Sequence, residues 1–280
     1  MQDIDKLFNR IDHLLDRLDE IIPKAKANSI QLGEFRAYRW QQGNLQGIET
    51  FDSVRSSDLL NLDRQSSLLA TNTALFVADK PANNALLWGA RGTGKSSLIK
   101  AQLNNHLQDN LCVVEIPKDE TSSLFEIIKQ LSGLNRKFIL YLDDLSFEAN
   151  DDSYKSLKAA LEGSLQAQPD NVIIYATSNR RHLIPEFMQE NLDSSMIDGQ
   201  LHPSDSIEEK VSLSDRFGLW LSFHPFTQDE YLDVVELALN KFKLKMDGSA
   251  RTESLRFATA RGSRSGRIAV QFATYWLGIR

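Results

Sequence analysis

Hydrophobic residues recur every seven positions at the start of the chain. The first set is Ile4, Leu7 and Phe8, and two further sets with the same spacing run to Ile22, while charged residues fill the other faces. This pattern predicts an amphipathic helix that ends at Pro23. A stripe of this width suits packing on the helix's own domain, and it also suits docking to a partner or to a second copy. Both interpretations stay open.

Residues 32–50 combine a run of aromatic and basic residues with a turn signal. The run reads FRAYRW, from Phe35 to Trp40, and Gln-Gly-Asn follows at 42–44. Residues typical of strands on both sides of this tripeptide predict a β-hairpin. We expect a half-buried strand whose arginines face solvent. The alternative is a strand whose aromatic rings stack on nucleic acid.

From residue 85 onward, short apolar runs alternate with helical stretches. Four continuous apolar runs predict buried parallel strands, at 85–88, 111–116, 137–142 and 171–177. Helices are predicted between them, near 94–108, 121–132 and 153–166, and an earlier helix over 57–77. A fifth apolar run covers 218–223. Strands that alternate with helices in this way predict an α/β fold with a doubly wound parallel sheet.

The pattern becomes purely helical after Pro225. Apolar residues at helical spacing predict three helices, over 231–242, 254–260 and 268–276. Because no strand signal remains in this part of the chain, we expect a small helical domain that follows the sheet.

Composition narrows the class of protein. Hydrophobic residues make up 41% of the chain and charged residues 25%, as in an ordinary soluble globular protein. No apolar run approaches the ~18 residues of a membrane span, and no secretion signal is visible, so we expect a cytoplasmic protein without a membrane contact. The single cysteine, Cys112, excludes an intrachain disulfide. The net charge of −6 argues against a protein that is basic overall and binds nucleic acid.

The strongest chemical signal is GARGTGKS at 89–96, which matches the P-loop pattern GxxxxGK[ST]. It follows a predicted strand and opens a predicted helix, as a P-loop does. Glycines let backbone N–H groups wrap phosphates, Lys95 reaches the β- and γ-phosphates, and the Ser96 hydroxyl binds Mg²⁺. The predicted nucleotide-binding residues are Gly89, Ala90, Arg91, Gly92, Thr93, Gly94, Lys95, Ser96 and Ser97.

Two carboxylates follow the apolar run 137–142. In P-loop proteins a carboxylate at this place holds Mg²⁺, so we assign Asp143 to the metal together with Ser96. The next residue, Asp144, is a second acidic residue at the end of the same run.

At this point the chain resembles the AAA+ ATPases, over roughly residues 55–280. The resemblance implies a sensor-1 role for Asn179 in the run NVIIYATSN, and an arginine finger, acting on a neighbouring subunit, for Arg216 in LSDRFGL. It also implies a sensor-2 role for Arg267 in GSRSGRIA, with Arg264 as the second choice. The residues predicted to be catalytic are thus Lys95, Asp144, Asn179, Arg216 and Arg267.

More narrowly, three stretches resemble an uncharacterised bacterial AAA+ family known as domain of unknown function 815. They are NNALLWGARGTGKSSLIKA, FILYLDDLSFE and YATSNRRHLIPE, and the FRAYRW segment belongs to the same resemblance. The implied organisation is an N-terminal helix and hairpin (1–52), an AAA+ nucleotide-binding domain (53–225) and a helical lid (226–280). The implied cofactors are ATP and Mg²⁺.

The resemblance further implies a homo-oligomer, with a hexameric ring as one form, because a finger acting in trans requires a neighbour. We expect an unidentified protein partner to dock on residues 1–50. One departure concerns Asp144, which stands where most active AAA+ enzymes have the glutamate that activates the attacking water, so the resemblance implies that role for Asp144. The aspartate is shorter by about 1.3–1.5 Å, and a misplacement of about 1 Å can cost ~10²-fold in rate. Slow hydrolysis, or a switch that mainly binds ATP, is therefore an alternative.

Three functions that use ATP are compatible with the motifs. Remodelling of a protein partner is favoured, although processive threading is not, because residues 117–122 carry no aromatic side chain. Action on nucleic acid is an alternative that we do not favour, although residues 251–267 hold five arginines against one glutamate. A small-molecule kinase is disfavoured, because the sensor, finger and lid motifs belong to an assembling ATPase.

Overall fold

The computed structural model describes residues 32–52, 54–147, 153–162, 169–181, 183, 195–197, 200–202 and 213–279. The chain divides into two units, residues 1–32 and residues 33–280. The helix predicted over the first 22 residues lies outside the described part, and the fold below is that of the second unit.

A seven-stranded sheet forms the centre of this unit, in the order β2-β1-β4-β5-β6-β3-β9. Its strands are β1 (Ala37–Gln41), β2 (Asn44–Ile48), β3 (Ala85–Gly89), β4 (Leu111–Ile116), β5 (Lys137–Leu142), β6 (Val172–Ser178) and β9 (Leu219–Phe223). All neighbouring strands are parallel except β1 and β2. Strands β7 (Ser195–Ile197) and β8 (Gln200–His202) form a separate antiparallel pair. The predicted α/β fold and each of its five apolar strands are confirmed.

The helices match the periodic segments of the sequence. They are α1 (Asp63–Val77), α2 (Lys95–Asn105), α3 (Leu124–Ser132), α4 (Ser153–Glu162), α5 (Gln228–Lys241), α6 (Gly248–Ala260) and α7 (Gly266–Gly278), with 3-10 turns at Ser56–Asp58 and Lys118–Ser123. Helix α1 begins at Asp63, later than the start predicted at residue 57. Leu59, Leu60 and Leu62 therefore precede the helix, and they line a cleft that is described below. Among the helices in the described part of the chain, none has both the length and the apolar character to cross a membrane.

The predicted hairpin is present and belongs to the central sheet. Its turn residues, Gln42 and Gly43, have φ angles of +50° and +76°, as a tight two-residue hairpin turn requires. The sequence grouped this hairpin with the N-terminal helix, but β1 pairs in parallel with β4, so the hairpin extends the main sheet. Tyr38 and Trp40 are 2% and 1% exposed. Their rings are therefore core side chains, which contradicts the interpretation that they stack on nucleic acid.

The core on one face of the sheet lies beneath α1 and α2. Leu69 and Phe76 of α1 and Leu98 of α2 belong to one buried cluster with side chains of β3, β5 and β6. A polar network crosses this cluster, because the Tyr175 hydroxyl is 2.9 Å from Thr73 Oγ1 and 3.0 Å from Asn72 Nδ2. Burial raises the pKa of Tyr175 to about 12. Because the central strands are buried on both faces, their sequences are continuously apolar and lack alternation.

The last three helices form a second core. Tyr231 and Leu239 of α5 pack with Ala250 of α6 and with Phe272 and Trp276 of α7. Helix α5 begins with a capping box, in which the Thr227 hydroxyl accepts the N–H of Glu230 and the Glu230 carboxylate accepts the N–H of Thr227. The three helices predicted after Pro225 are therefore present.

Candidate nucleotide-binding site

The loop between β3 and α2 has the backbone shape of a phosphate cradle. Gly89, Gly92 and Gly94 have φ angles of +130°, +73° and +99°, which favour glycine. A Cβ on Gly89 would lie 2.0 Å from the carbonyl oxygen of Phe223, so no larger residue fits between β3 and β9. Gly94 is the N-cap of α2, and the loop therefore leads directly into the positive end of the helix dipole.

The Lys95 ammonium lies inside this loop. Lys95 is only 7% exposed, and its Nζ donates to the carbonyl oxygens of Gly89 at 2.8 Å and Ala90 at 2.7 Å. It also donates to Asn179 Oδ1 at 3.2 Å, which links the loop to the end of β6. Burial lowers the pKa of Lys95, and the nearby carboxylates of Asp144 and Asp143 oppose this effect. A cation is thus held at the floor of the loop.

The predicted metal ligands meet at the edge of the sheet. Ser96 Oγ donates to Asp143 Oδ1 at 2.8 Å, and Thr177 Oγ1 donates to the same oxygen at 2.6 Å. Burial alone would raise the pKa of Asp143, but hydrogen bonds led by that of Thr177 outweigh it and hold the pKa below its usual value. A charged carboxylate and a hydroxyl oxygen beside a phosphate cradle are the donor set that suits Mg²⁺.

Asp144 and Asn179 face each other beside Lys95. The Asn179 side-chain amide donates to the Asp144 carboxylate, and Arg91 of the loop lies 3.9 Å from the same carboxylate. Asp144 has a φ of +50°, a conformation that non-glycine residues seldom adopt and that often marks functional sites. The structure therefore brings together the candidate water-activating carboxylate of Asp144, the amide of Asn179 that is predicted to be sensor 1, and Lys95.

These residues line a cleft of about 810 Å³, a volume typical of small-molecule sites. The cleft also has an apolar wall, which is built by separate segments of the chain. Its apolar lining residues are Val54, Leu59, Leu60, Leu62, Phe226, Val234 and Val270. A single cleft thus offers charged groups for phosphates and apolar side chains for a ring system.

Helix α7 closes the cleft from the lid. Its Gly266 N–H donates to the carbonyl oxygen of Gly92 at 2.8 Å, and Ser265 caps the helix by accepting the N–H of Ile268. The N-terminus of α7 therefore adds a second positive helix end beside the P-loop. Arg267 lines the cleft, whereas Arg264 is not among the described lining residues. Of the two arginines that the resemblance offers for sensor 2, Arg267 is thus the one that borders the described cleft.

Arg216 is placed differently from the other predicted catalytic residues. It follows a single helical turn at 213–215, and its N–H donates to the carbonyl oxygen of Leu213. It is not among the described residues that line the cleft. Of the predicted catalytic set, the cleft of one chain brings together Lys95, Asp144, Asn179 and Arg267, and Arg216 stands apart from them.

Sequence reasoning missed two parts of the site. The sequence pattern places Leu59, Leu60 and Leu62 in a helix over 57–77 and gives no sign that they line an apolar wall. Thr177 was not predicted either, although it contacts both acidic residues of the site. The one available signal was its position two residues before Asn179, at the end of an apolar strand.

The mostly parallel sheet that carries the glycine-rich loop, together with the three helices that follow it, has the AAA+ fold. A family profile described as "Protein of unknown function (DUF815)" matches residues 33–280, and the chain belongs to this family. No curated protein sequence matches the chain.

Solved structures with a similar fold include two AAA+ proteins. A point variant of RuvB from Thermotoga maritima is 17% identical with a TM-score of 0.50, covering 76% of this chain and 60% of its own. The ORC1 protein of Aeropyrum pernix, solved in complex with DNA, is 17% identical with a TM-score of 0.52, covering 77% of this chain and 61% of its own. The match thus spans about 60% of the length of these proteins, and at this identity the likeness concerns the fold.

Proposed function

We propose that the protein is a Mg²⁺-dependent AAA+ ATPase that couples ATP binding and hydrolysis between assembled subunits to the remodelling of a protein partner. One observation carries the proposal: five polar residues that follow three separate strands contact one another in a single cleft, namely Lys95, Ser96, Asp143, Asp144 and Asn179. That arrangement supplies a cation, a pair of metal ligands and a carboxylate held by an amide. Phosphoryl transfer to water relies on positioning and charge stabilisation by groups of these kinds.

Each side chain has a distinct task in this proposal. The loop N–H groups and Lys95 bind the β- and γ-phosphates, and Arg267 contacts the γ-phosphate from the lid. Ser96 and Asp143 hold Mg²⁺, which neutralises charge on the phosphates when it is bound. Asp144 orients the attacking water and accepts its proton, while the Asn179 amide keeps the Asp144 carboxylate in place. The apolar wall receives the adenine ring.

Remodelling of a protein partner is favoured over action on nucleic acid for two reasons. The chain carries a net charge of −6, which disfavours contact with phosphate backbones over most of its surface. The aromatic rings of Tyr38 and Trp40, which the nucleic-acid interpretation needed at the surface, are buried. We place the partner on residues 1–50, the segment that precedes the ordered ATPase motifs.

Arg216 completes the site of a neighbouring subunit in this proposal. We expect the rate of ATP hydrolysis per protomer to rise with protein concentration. Replacing Arg216 by alanine is expected to lower the rate roughly tenfold to hundredfold with little change in ATP affinity, because the charge that it stabilises is greatest in the transition state. The measurement is steady-state phosphate release over a wide range of protein concentration.

Mixing two inactive variants separates a trans finger from a structural role of Arg216. Arg216→Ala retains a nucleotide site, and Lys95→Ala retains the finger, so mixed assemblies contain some complete sites. Activity in the mixture above the sum of the two variants is the expected result. If the mixture is no more active than its parts, Arg216 does not act across subunits. A rate that is independent of concentration in the wild-type protein contradicts assembly-dependent turnover.

A second candidate function is ATP-dependent action on nucleic acid, and one surface favours it. Residues 241–267 carry eight basic side chains, all exposed, against two acidic ones, although the whole chain is acidic. Arg251 and Arg256 line a shallow groove on α6 together with Thr252 and Thr259. Arginine and hydroxyl groups of this kind contact phosphates, and the ORC1 neighbour was solved with DNA.

A salt titration tests this second candidate. If the lid binds nucleic acid, a fluorescent single-stranded DNA should bind with an affinity that falls steeply with salt. Arg251→Glu combined with Arg256→Glu is then expected to weaken binding at least about tenfold and to reduce the salt slope by about one per lost phosphate contact. Arg64→Glu, on the exposed face of α1, is the control. Equal weakening by the control, or no binding by the wild-type protein at low salt, rejects this function.

A further inference from the structure

Thr177 lies at the end of β6, and its hydroxyl stands between the two acidic residues of the site. The residue is 1% exposed. Its Oγ1 donates to Asp143 Oδ1 at 2.6 Å and accepts the N–H of Asp144 at 2.9 Å. Its backbone carbonyl accepts the N–H of Leu145 at 2.7 Å. One buried residue therefore holds three consecutive residues of the neighbouring turn.

The hydroxyl group suits this place chemically. A hydroxyl donates one hydrogen bond and accepts two, whereas an ionised carboxylate only accepts and a backbone N–H only donates. Thr177 can therefore face Asp143 as a donor and Asp144 as an acceptor at the same time. Ser96 donates to the same oxygen of Asp143 at 2.8 Å, so two donors fix the rotation of that carboxylate.

The contact with Asp144 acts on the backbone. Asp144 has a φ of +50°, and this left-handed conformation costs free energy in a residue with a Cβ. In this conformation the Asp144 N–H donates a hydrogen bond to Thr177. The bond stabilises the left-handed backbone, because a backbone N–H that is buried without a partner costs free energy. The left-handed backbone also places the Asp144 carboxylate against the Asn179 amide. A single hydroxyl therefore reaches both carboxylates by different routes.

We infer that Thr177 is a positioning residue, which orients Asp143 toward Mg²⁺ and Asp144 toward the attacking water. The inference rests on the proposed function, because it assumes a Mg²⁺–ATP site in the cleft. It differs from the predicted roles of the site residues, since Thr177 acts through the two aspartates that it contacts. Partners that orient metal ligands in this way typically matter 10–100-fold in affinity or activity.

The experiment measures how much Mg²⁺ strengthens nucleotide binding. A fluorescent ATP analogue is titrated into the full-length protein with Mg²⁺ and, separately, with EDTA, and the ratio of the two Kd values is compared between variants. Thr177→Val keeps the shape and removes the hydroxyl, so the Mg²⁺-dependent gain is expected to fall about tenfold while the affinity in EDTA stays within about threefold. Thr177→Ser restores the hydroxyl and is expected to restore the gain. kcat should fall in Thr177→Val and recover in Thr177→Ser.

Thr73→Val is the matched control, because it removes an equally buried threonine hydroxyl without touching a carboxylate. Thr73 is 0% exposed and bonds to the carbonyl oxygen of Leu69 and to Tyr175. We expect its Mg²⁺-dependent gain to equal that of the wild-type protein. If Thr177→Val does not fold, as judged by circular dichroism, Thr177→Cys replaces it, and its weaker thiol should give an intermediate loss.

The possible results distinguish failure of the proposed function from failure of the role of Thr177. A wild-type protein that binds no nucleotide refutes the proposed function itself. If the wild-type protein binds and Thr177→Val retains its Mg²⁺-dependent gain, only the role of Thr177 is refuted. The same conclusion follows if Thr177→Ser fails like Thr177→Val, or if Thr177→Val loses affinity equally in EDTA. Loss in Thr177→Val with recovery in Thr177→Ser supports the inference.

Discussion

Replacing Lys95 by alanine is expected to weaken ATP binding about 1000-fold and to abolish hydrolysis at working ATP concentrations. Lys95 is 7% exposed, and its ammonium is held within the phosphate loop by the carbonyl oxygens of Gly89 and Ala90. Each charge-assisted hydrogen bond to a phosphate contributes about 1.5–3 kcal/mol, and losing two of them corresponds to roughly 10²–10⁴ in Kd. Titration of a fluorescent ATP analogue, with and without Mg²⁺, measures the effect.

Lys129→Ala is the control for this variant. Lys129 is an exposed lysine on α3, distant in sequence from the loop, and it is absent from the described lining of the cleft. Its removal changes the net charge by the same amount and should leave ATP affinity within about twofold of the wild-type value, because an exposed charge outside the cleft is screened by solvent. Tight ATP binding by Lys95→Ala would mean that the loop at 89–96 is not the phosphate site. Weakening of the same size in both variants would indicate an effect of overall charge.

The second large effect is expected at Asp144. Asp144→Asn keeps the size of the side chain and an oxygen that can face Asn179, but it removes the group that accepts a proton from water. Because general-base catalysis contributes about 10²–10⁴ in rate, we expect kcat to fall by roughly 10³ while ATP affinity changes little. Single-turnover hydrolysis with protein in excess measures the chemical step directly.

Asp144→Glu tests whether the length of the side chain limits the rate. In the AAA+ enzymes that this chain resembles, a glutamate usually stands at this position, and its extra methylene adds about 1.3–1.5 Å of reach. We expect Asp144→Glu to raise the rate above that of the wild-type protein. A lower rate would mean that the left-handed backbone at Asp144 already places the shorter carboxylate correctly. An unchanged rate in Asp144→Asn would remove Asp144 from the chemistry altogether.

The strands and the P-loop were predictable because their signals are local. Continuous apolar runs marked β3, β4, β5 and β6 within about two residues, since burial on both faces leaves no polar position in such a strand. The pattern GARGTGKS needs glycines where the backbone takes positive φ angles, and the structure shows them at Gly89, Gly92 and Gly94. Local conformation and residue type determine each other at such positions.

The hairpin shows that local sequence signals predict a turn but do not predict which strands pair. Its turn was predictable from Gln42, Gly43 and Asn44, because a two-residue turn imposes its own backbone conformation. Its place in the sheet was not predictable, since the pairing of β1 with β4 joins residues as far apart as Ala37 and Val113. The burial of Trp40 accompanies that pairing. A sequence that looked suited to stacking on nucleic acid is therefore part of the core.

The sequence by itself determined the parts of this protein that depend on neighbouring residues alone. These are the buried strands, the C-terminal helices, the phosphate loop and the acidic pair after β5. Tertiary structure alone decided which of these parts meet. Strand order places β6 between β5 and β3, and this brings Thr177 to Asp143 and Asn179 to Lys95. Leu59, Leu60 and Leu62 likewise line the cleft and lie outside the helix that their sequence predicted. The physical reason is that parallel strands end at one shared edge, so residues far apart in sequence become neighbours only when the strands are ordered.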